Sequence, residues 1–243
     1  MVSEEGRRLH GLAAQAREDG DHLKALQLDD ESMLAYQKDG DILGFAEVVA
    51  DRSIVLRHLA DETGNKNFLI IAKSEMVASV EIARGSGDKT ALALPLFNLA
   101  KVQEELGELQ EAVKTYTEAI QEMENNPPEM HNRPSVLADM KVHLATCEYM
   151  AGEKNALERA EQALRDLEKS NEVEYNEQSS HTRGNSYNKD VWVSGGHMRI
   201  AVMLKEDNPQ KAKEHLQKAK AIIDANPDLT IRKTQWEKLT TSF

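Results

Sequence analysis

One pattern recurs four times along the chain: a small residue in a helix-forming stretch, a turn residue seven positions later, and an alanine four or five residues beyond that. Leu96, Leu99, Ala100, Gly107, Ala112, Tyr116 and Ala119 make the cleanest copy. Leu9, Leu12, Ala13, Gly20 and Ala25 make a second. Leu144, Ala145, Gly152, Ala156, Ala160 and Ala163 make a third, and Ile200, Ala201, Asn208, Ala212, Leu216 and Ala219 a fourth. Each copy specifies two helices joined by a turn, with more apolar surface than two helices can bury between them. Stacked copies bury the remainder, so the pattern predicts an array of helix pairs with an extended surface along its length. The turn residues Gly20, Gly64, Gly107, Gly152 and Asn208 are spaced by 44, 43, 45 and 56.

Breakers and caps set the boundaries. Ser3 can cap a first helix, with Glu4 and Glu5 suited to its positive end. Approximate repeats are expected at 3–38, 42–84, 89–126, 134–169 and 190–225, with a final helix over 228–241. The second repeat starts with a long helix, Ile42 to Thr63. Asn125-Asn126-Pro127-Pro128 is a firm stop, and Pro134 suits the first turn of the next helix. Asn208-Pro209 and Asn226-Pro227 are start signals. The stretch 170–189 is polar and aperiodic, the longest interruption in the pattern.

Composition narrows the function classes. Ala, Leu, Glu, Lys and Gln dominate, which favours helix. The net charge of -12 argues against nucleic-acid partners and is compatible with basic ones. The single cysteine, Cys147, allows no intrachain disulfide and reads as a packed thiol among Leu144, Ala145 and Tyr149. The first residues, Met-Val-Ser-Glu-Glu, carry no apolar leader, and no stretch approaches 18 apolar residues. The expectation is a cytoplasmic protein without a membrane anchor.

The third repeat resembles the tetratricopeptide (TPR) signature. Leu96, Leu99, Ala100, Gly107, Ala112, Tyr116 and Ala119 fall where that family places the small and large residues that let paired helices approach. The resemblance extends well to the first repeat and less closely to the fourth and fifth. It is poor in the second, where Arg57 falls at the small position seven residues before Gly64. A TPR unit is about 34 residues and these run about ten longer, through longer helices or longer linkers. HEAT-type repeats match the length but not the glycine and alanine pattern. The resemblance implies an all-α, right-handed α-solenoid of about five antiparallel helix pairs plus a C-terminal capping helix, forming one domain over 1–243.

No chemistry stands out beside this. Gly85-Ser86-Gly87-Asp88-Lys89-Thr90 lacks the glycines that wrap a phosphate: Asp88 stands before Lys89, and Ala83 takes the place of the first glycine. The eight histidines form no zinc spacing, and Asp39-Gly40-Asp41 lacks the rest of a calcium loop. A metal site at His181 and His197 would need Glu174 or Glu177 to fold back. No nucleophile–base pair can be argued. The expectation is therefore no enzyme, no catalytic residues, no metal and no cofactor.

What remains is binding. The TPR resemblance implies that the first helix of each pair lines a groove. In the third repeat this places Leu94, Phe97, Lys101 and Glu104 there. In the fourth it places Asp139, Val142, Thr146 and Tyr149, and in the first Arg7, His10, Ala14 and Arg17. The fifth contributes Met198, Val202 and Lys205, and the second Ile54 and His58. The candidate site is thus His10, Arg17, His58, Phe97, Lys101, Glu104, Val142, Thr146, Tyr149, Met198 and Lys205. Phe97, Val142 and Met198 would be exposed apolar anchors for a peptide, or else pack against a neighbouring helix. The carboxylate clamp of one TPR subclass is not matched, since only Asn98 falls in a clamp-like position. The leading function is an adaptor holding a peptide or helix of a protein partner. The alternative is a self-associating scaffold, a homodimer formed through the end helix with Trp236 and Leu239. A regulator that joins repeats to a DNA-reading helix is disfavoured by the absence of such a helix before the repeats.

Overall fold

The computed structural model describes residues 2–128, 132–170 and 185–243, and there the chain is helical with no strand. The helices are α1 (Glu4–Glu18), α2 (His22–Asp39), α3 (Ile42–Thr63), α4 (Asn67–Ser86), α5 (Ala93–Glu105) and α6 (Leu109–Asn125). They continue with α7 (Pro134–Met150), α8 (Ala156–Lys169), α9 (Asn185–Leu204), α10 (Pro209–Ala225) and α11 (Thr230–Thr240). The all-α class and the solenoid stacking of helix pairs are as expected. α2 packs on α1, α3 on α2, α4 on α3, and so on to α6, while α1 also touches α3 and α3 touches α5. α7 pairs with α8 and α9 with α10, α9 lies against both α7 and α8, and α11 sits on α9 and α10.

The chain packs as two compact units, Met1–His131 holding α1–α6 and Asn132–Phe243 holding α7–α11. The repeat spacing alone had suggested one domain. The division follows the Asn125-Asn126-Pro127-Pro128 stop.

Local chemistry explains the helix ends. Ser3, Asp21, Asp41 and Asn208 each cap a helix, accepting from the backbone N–H groups of Gly6, Lys24, Gly44 and Lys211. Ser3 also donates from its hydroxyl to Asp39, 2.6 Å, and from its backbone N–H to Asp41, 2.9 Å, tying the start of α1 to the α2–α3 turn. Gly107 turns the chain at φ +81°, a backbone region costly for residues with a side chain. A Cβ added there would meet nothing within 4 Å, so the turn needs glycine for its backbone and not for close helix approach. The phosphate-loop look-alike is only a helix end: Gly87 caps α4, and Asp88 accepts from Thr90 to start the 3-10 turn Lys89–Ala91.

α9 departs from expectation. It begins at Asn185, inside the stretch read as polar insert; residues 171–184 of that stretch, with Glu174, Glu177 and His181, lie outside the described residues. Its early turns are held by polar contacts that no apolar period reveals. Lys189 donates to the Glu168 carbonyl, 2.9 Å, and to the Ser170 carbonyl, 2.5 Å, at the end of α8. Asp190 accepts from the Asn226 amide, 2.9 Å.

The repeating small residues sit where paired helices meet. Ala13, Ala25, Ala100, Ala112, Ala119, Ala145, Ala156, Ala160, Ala201, Ala212 and Ala219 are all buried. Two serines show the same position in polar form. The Ser32 hydroxyl donates to the Gly6 carbonyl, 2.8 Å, and the Ser79 hydroxyl to the Ala46 carbonyl, 2.9 Å. These matched bonds fix the second repeat's register. Gly6 stands seven residues before Ala13, so Ala46 points to Ser53, which is fully buried, as the small position. α3 runs one turn past the equivalent of the end of α1 before reaching Gly64. Counting back from Gly64 therefore put Arg57 where Ser53 belongs.

Tyr36 is packed tightly in the first unit. Its ring is 1% exposed and lies between Gly6 of α1 and Gly44 of α3. A Cβ at Gly6 would fall 2.6 Å from the ring, and one at Gly44 2.2 Å. With a backbone on each side the ring cannot move aside. We predict that Gly44→Ala lowers stability by about 1–3 kcal/mol through overpacking. Gly85→Ala, in open space on α4, should raise stability by up to about 1 kcal/mol through the unfolded state. Denaturant unfolding of the two variants against wild type checks both signs.

Candidate functional site

Six of the eleven candidate groove residues are core residues. Phe97, Glu104, Val142, Thr146, Tyr149 and Met198 are all 9% exposed or less. Phe97 lies with its ring centroid 5.7 Å from that of Tyr116, and the Lys101 ammonium sits 3.8 Å above the Phe97 ring. The Tyr116 hydroxyl donates to Glu104, 2.7 Å. This cluster locks α5 to α6. In the second unit, Tyr149 donates to Asp207, 2.5 Å, and Lys154 bonds the same tyrosine oxygen at 3.0 Å. Thr146 donates to the His143 carbonyl and accepts from Arg199. Val142 belongs to the second unit's core cluster, and the Lys205 ammonium lies 5.3 Å from the Phe243 ring.

Phe97, Val142 and Met198 are therefore not exposed anchors. The helical period that brings a residue to the first-helix face does not say whether the next helix covers it, and here it does. Given the burial of Phe97, we predict that Phe97→Ala loses about 3–5 kcal/mol in unfolding free energy, read by denaturant unfolding.

Lys205 of the second unit remains partly accessible, and so do His10, Arg17, His58 and Lys101, all four of the first unit. They come from α1, α3 and α5, whose neighbouring members touch. Ion pairs join these helices. Arg17 of α1 meets Asp51 of α3 at 2.7 Å, and His10 meets the same carboxylate at 3.3 Å. Arg57 of α3 meets Glu105 of α5 at 2.5 Å, with both guanidinium nitrogens engaged. The His58 ring lies 5.6 Å from that of His22, and His22 contacts Glu62 at 2.8 Å. The face is charged, half-buried and cross-linked. Asp51, Arg57 and Glu105 were missed as site residues. Arg57 was hidden by the register error in α3: with Ser53 as the small position, as the bond from Ser79 to Ala46 indicates, it falls four residues on, where Glu104 falls after Ala100.

Asp29 lies beneath this face. It stands nine residues after Gly20, as Tyr116 stands nine after Gly107. It is 1% exposed, and neither carboxyl oxygen has a hydrogen-bond partner among the described residues. Burial pushes its pKa up to about 8, and the Asp51 carboxylate adds to the shift, against the pull of His10, Arg17 and Arg52. Burial also opposes ionisation of Asp51, but Arg17 and His10 outweigh it and hold that carboxyl well below the usual range. Burial disfavours the protonated His10 ring, yet its bond to Asp51 outweighs this and raises it. The unfolded Asp29 ionises near pH 3.8, while the folded one keeps its proton up to about 8. The resulting stability is full below 3.8 and is lost as pH rises through 8. Asp29→Asn removes that loss. Its advantage in melting temperature over wild type should grow between about pH 4 and 8, which a thermal melt series reads directly.

Among the described residues no group of three or more His, Cys, Asp or Glu side chains is arranged to hold a metal ion, and no helix is long and apolar enough to cross a membrane. Cys147 is buried in α7.

No protein-family model matches the chain, and no curated protein does either. Solved structures do. BtubC (BKLC) from P. vanneervenii superposes with a TM-score of 0.53 at 21% identity, covering 88% of this chain and 78% of that one. A Podosopora anserina putative kinesin light chain with nearly identical TPR-like repeats superposes at 0.56 and 17% identity, covering 90% and 96%. A variant of that protein gives 0.57 at 17% identity, covering 91% and 97%. The fold is that of a TPR-like helical repeat.

Proposed function

We propose that this chain is a protein-interaction module, non-catalytic, in which the first-helix face of the first unit takes a segment of a partner by exchanging ion pairs. The observation that carries the reading is the cross-linked charge on that face. Arg17–Asp51, mostly buried, and Arg57–Glu105, more open to solvent, bind neighbouring first helices to each other. Arg57–Glu105 is the more open of the two, its carboxylate about a third exposed, and a solvent-facing pair contributes little to stability, roughly 0–1 kcal/mol. A partner's Lys, Arg or carboxylate can replace one member without unfolding the repeat. The TPR-like fold supports an interaction role, since stacked helix pairs present a long continuous surface. The chain's charge of -12 favours a segment with net positive charge.

The self-associating alternative has less support. Trp236 donates its ring N–H to the Leu216 carbonyl, 3.0 Å, and both Trp236 and Leu239 pack on the second unit's own core. The end helix thus spends within its own chain the residues that a dimer would use.

The test is affinity capture from lysate of cells that express the protein, comparing wild type with Arg57→Glu/Lys101→Glu. Both changes reverse charge at partly exposed positions, so the fold should persist; circular dichroism checks this. A partner bound by wild type and lost with the variant supports the reading. A partner held equally by both moves the site to another face, and recovery of the protein alone favours the scaffold.

A further inference from the structure

His197 of α9 and His215 of α10 face each other inside the second unit, 2% and 8% exposed. Their Nδ1 atoms are 2.9 Å apart, and the ring centroids 5.1 Å. That contact is a hydrogen bond only if one ring carries a proton on Nδ1 and the other offers a lone pair there. The far side of His197 settles the arrangement. Its Nε2 lies 3.1 Å from a carboxylate oxygen of Glu168 on α8, an acceptor. A neutral His197 therefore carries its proton on Nε2 and accepts at Nδ1, and His215 donates from Nδ1.

This bond joins the last helix pair at its centre. The same two helices contribute Ile200, Ala201 and Met203 of α9 and Leu216 of α10 to the second unit's core. α11 hangs on the same two helices: Trp236 donates to the Leu216 carbonyl of α10, and Arg232 to the Val191 carbonyl of α9, 3.0 Å. What loosens α10 from α9 therefore loosens α11 too.

The rings cannot both be charged in this geometry, because two imidazolium rings would set N–H against N–H. Charged neighbours do not relieve this. From α10, Lys211 and Lys218 add positive charge; Glu161 of α8 pulls the other way on His215, but it is paired with Lys211, and burial, His197 and Lys218 all rank above it. Glu168, 39% exposed, can stabilise a proton on His197 only. Charged groups of the other helices packed on α9 are engaged elsewhere. His143 of α7 contacts Asp139 at 3.9 Å, and Arg232 of α11 also bonds Gln235. On α9 itself, Arg199 reaches Thr146.

We propose that the His197–His215 pair is an acid-sensitive latch, and that protonation of the facing rings releases α10, together with α11, from the helices before them. Burial holds both rings neutral, pushing each down to about 4, and Lys218 acts in the same direction on both. In the unfolded chain these rings take up protons near pH 6.5. Between 6.5 and 4 the unfolded or opened state binds more protons than the closed one. The latch is at full strength above 6.5 and weakens as pH falls towards 4.

The experiment is amide hydrogen exchange of the full chain between about pH 7 and 5, corrected for the intrinsic pH dependence of exchange, with tryptophan fluorescence alongside. Both tryptophans, Trp192 and Trp236, lie in the second unit, so the emission reports on it alone. The latch predicts that α10 and α11 lose protection tenfold or more over this range while α5 and α6 hold theirs. It also predicts that His197→Gln/His215→Asn, which cannot take up the protons, abolishes the difference. An equal loss of protection in wild type and variant would overturn the proposal. Nitrogen NMR of the wild-type imidazoles decides the matter even if the variant does not fold. Rings titrating well below pH 6 together with the loss of protection support the latch, and rings titrating near 6.5 with α10 still protected refute it.

Discussion

Close approach of the two helices in each pair is the constraint on which the structure depends. Helix axes come near only where side chains are small, and Ala100 with Ala112, and Ala201 with Ala212, supply that at every repeat that shows the pattern. Once the axes are close, large side chains from flanking positions must fit the space that is left. Tyr116 and Phe97 fill it in the third repeat. Tyr36 fills it in the first, where Gly6 and Gly44 leave no room for a Cβ beside the ring. Ser32 and Ser79 keep the same approach and satisfy their hydroxyls on the opposite helix's carbonyl, so a polar atom enters the seam without an unmet bond.

The seam was legible in the amino-acid sequence because its signal is local. A small residue, a turn and an alanine at fixed distances declare a helix pair before any neighbour is known. Caps such as Ser3 and Asn208 and the Asn-Asn-Pro-Pro stop placed the ends to within a few residues. Failures began where information had to cross between repeats. Gly64 was a sound turn marker, but α3 runs one turn further beyond its small position than α1 does, and only the bond from Ser79 to Ala46 reveals it. Phe97, Val142 and Met198 lay on the first-helix face by periodicity, yet burial is decided by the next helix, which no single repeat encodes. Asp29 is the hardest case. A carboxyl reads as a surface residue, and its placement where another repeat uses Tyr116 shows only when the repeats are superposed.

The two units put their ionisable groups to opposite use. In the first, His10, Arg17, Asp51, Arg57 and Glu105 meet as ion pairs across neighbouring first helices. In the second, His197 and His215 are sealed into the core as a neutral pair, so any proton they accept must be accommodated by the packing itself. Acid should therefore weaken the second unit, while in the first it favours the buried Asp29 in its protonated form and a partner's charge should act on the surface. A face built from ion pairs also selects differently from one built on apolar pockets, since its contacts weaken with salt and depend on the sign of the incoming charge.

Salt dependence tests this most directly. Partner captured on the immobilised wild-type chain at about 50 mM salt would be washed with steps to about 500 mM, over which the screening length falls severalfold. Ion-pair exchange on the first-helix face predicts progressive release across that range. Retention unchanged, or strengthened, at high salt would mean that apolar contacts hold the partner and would contradict the account.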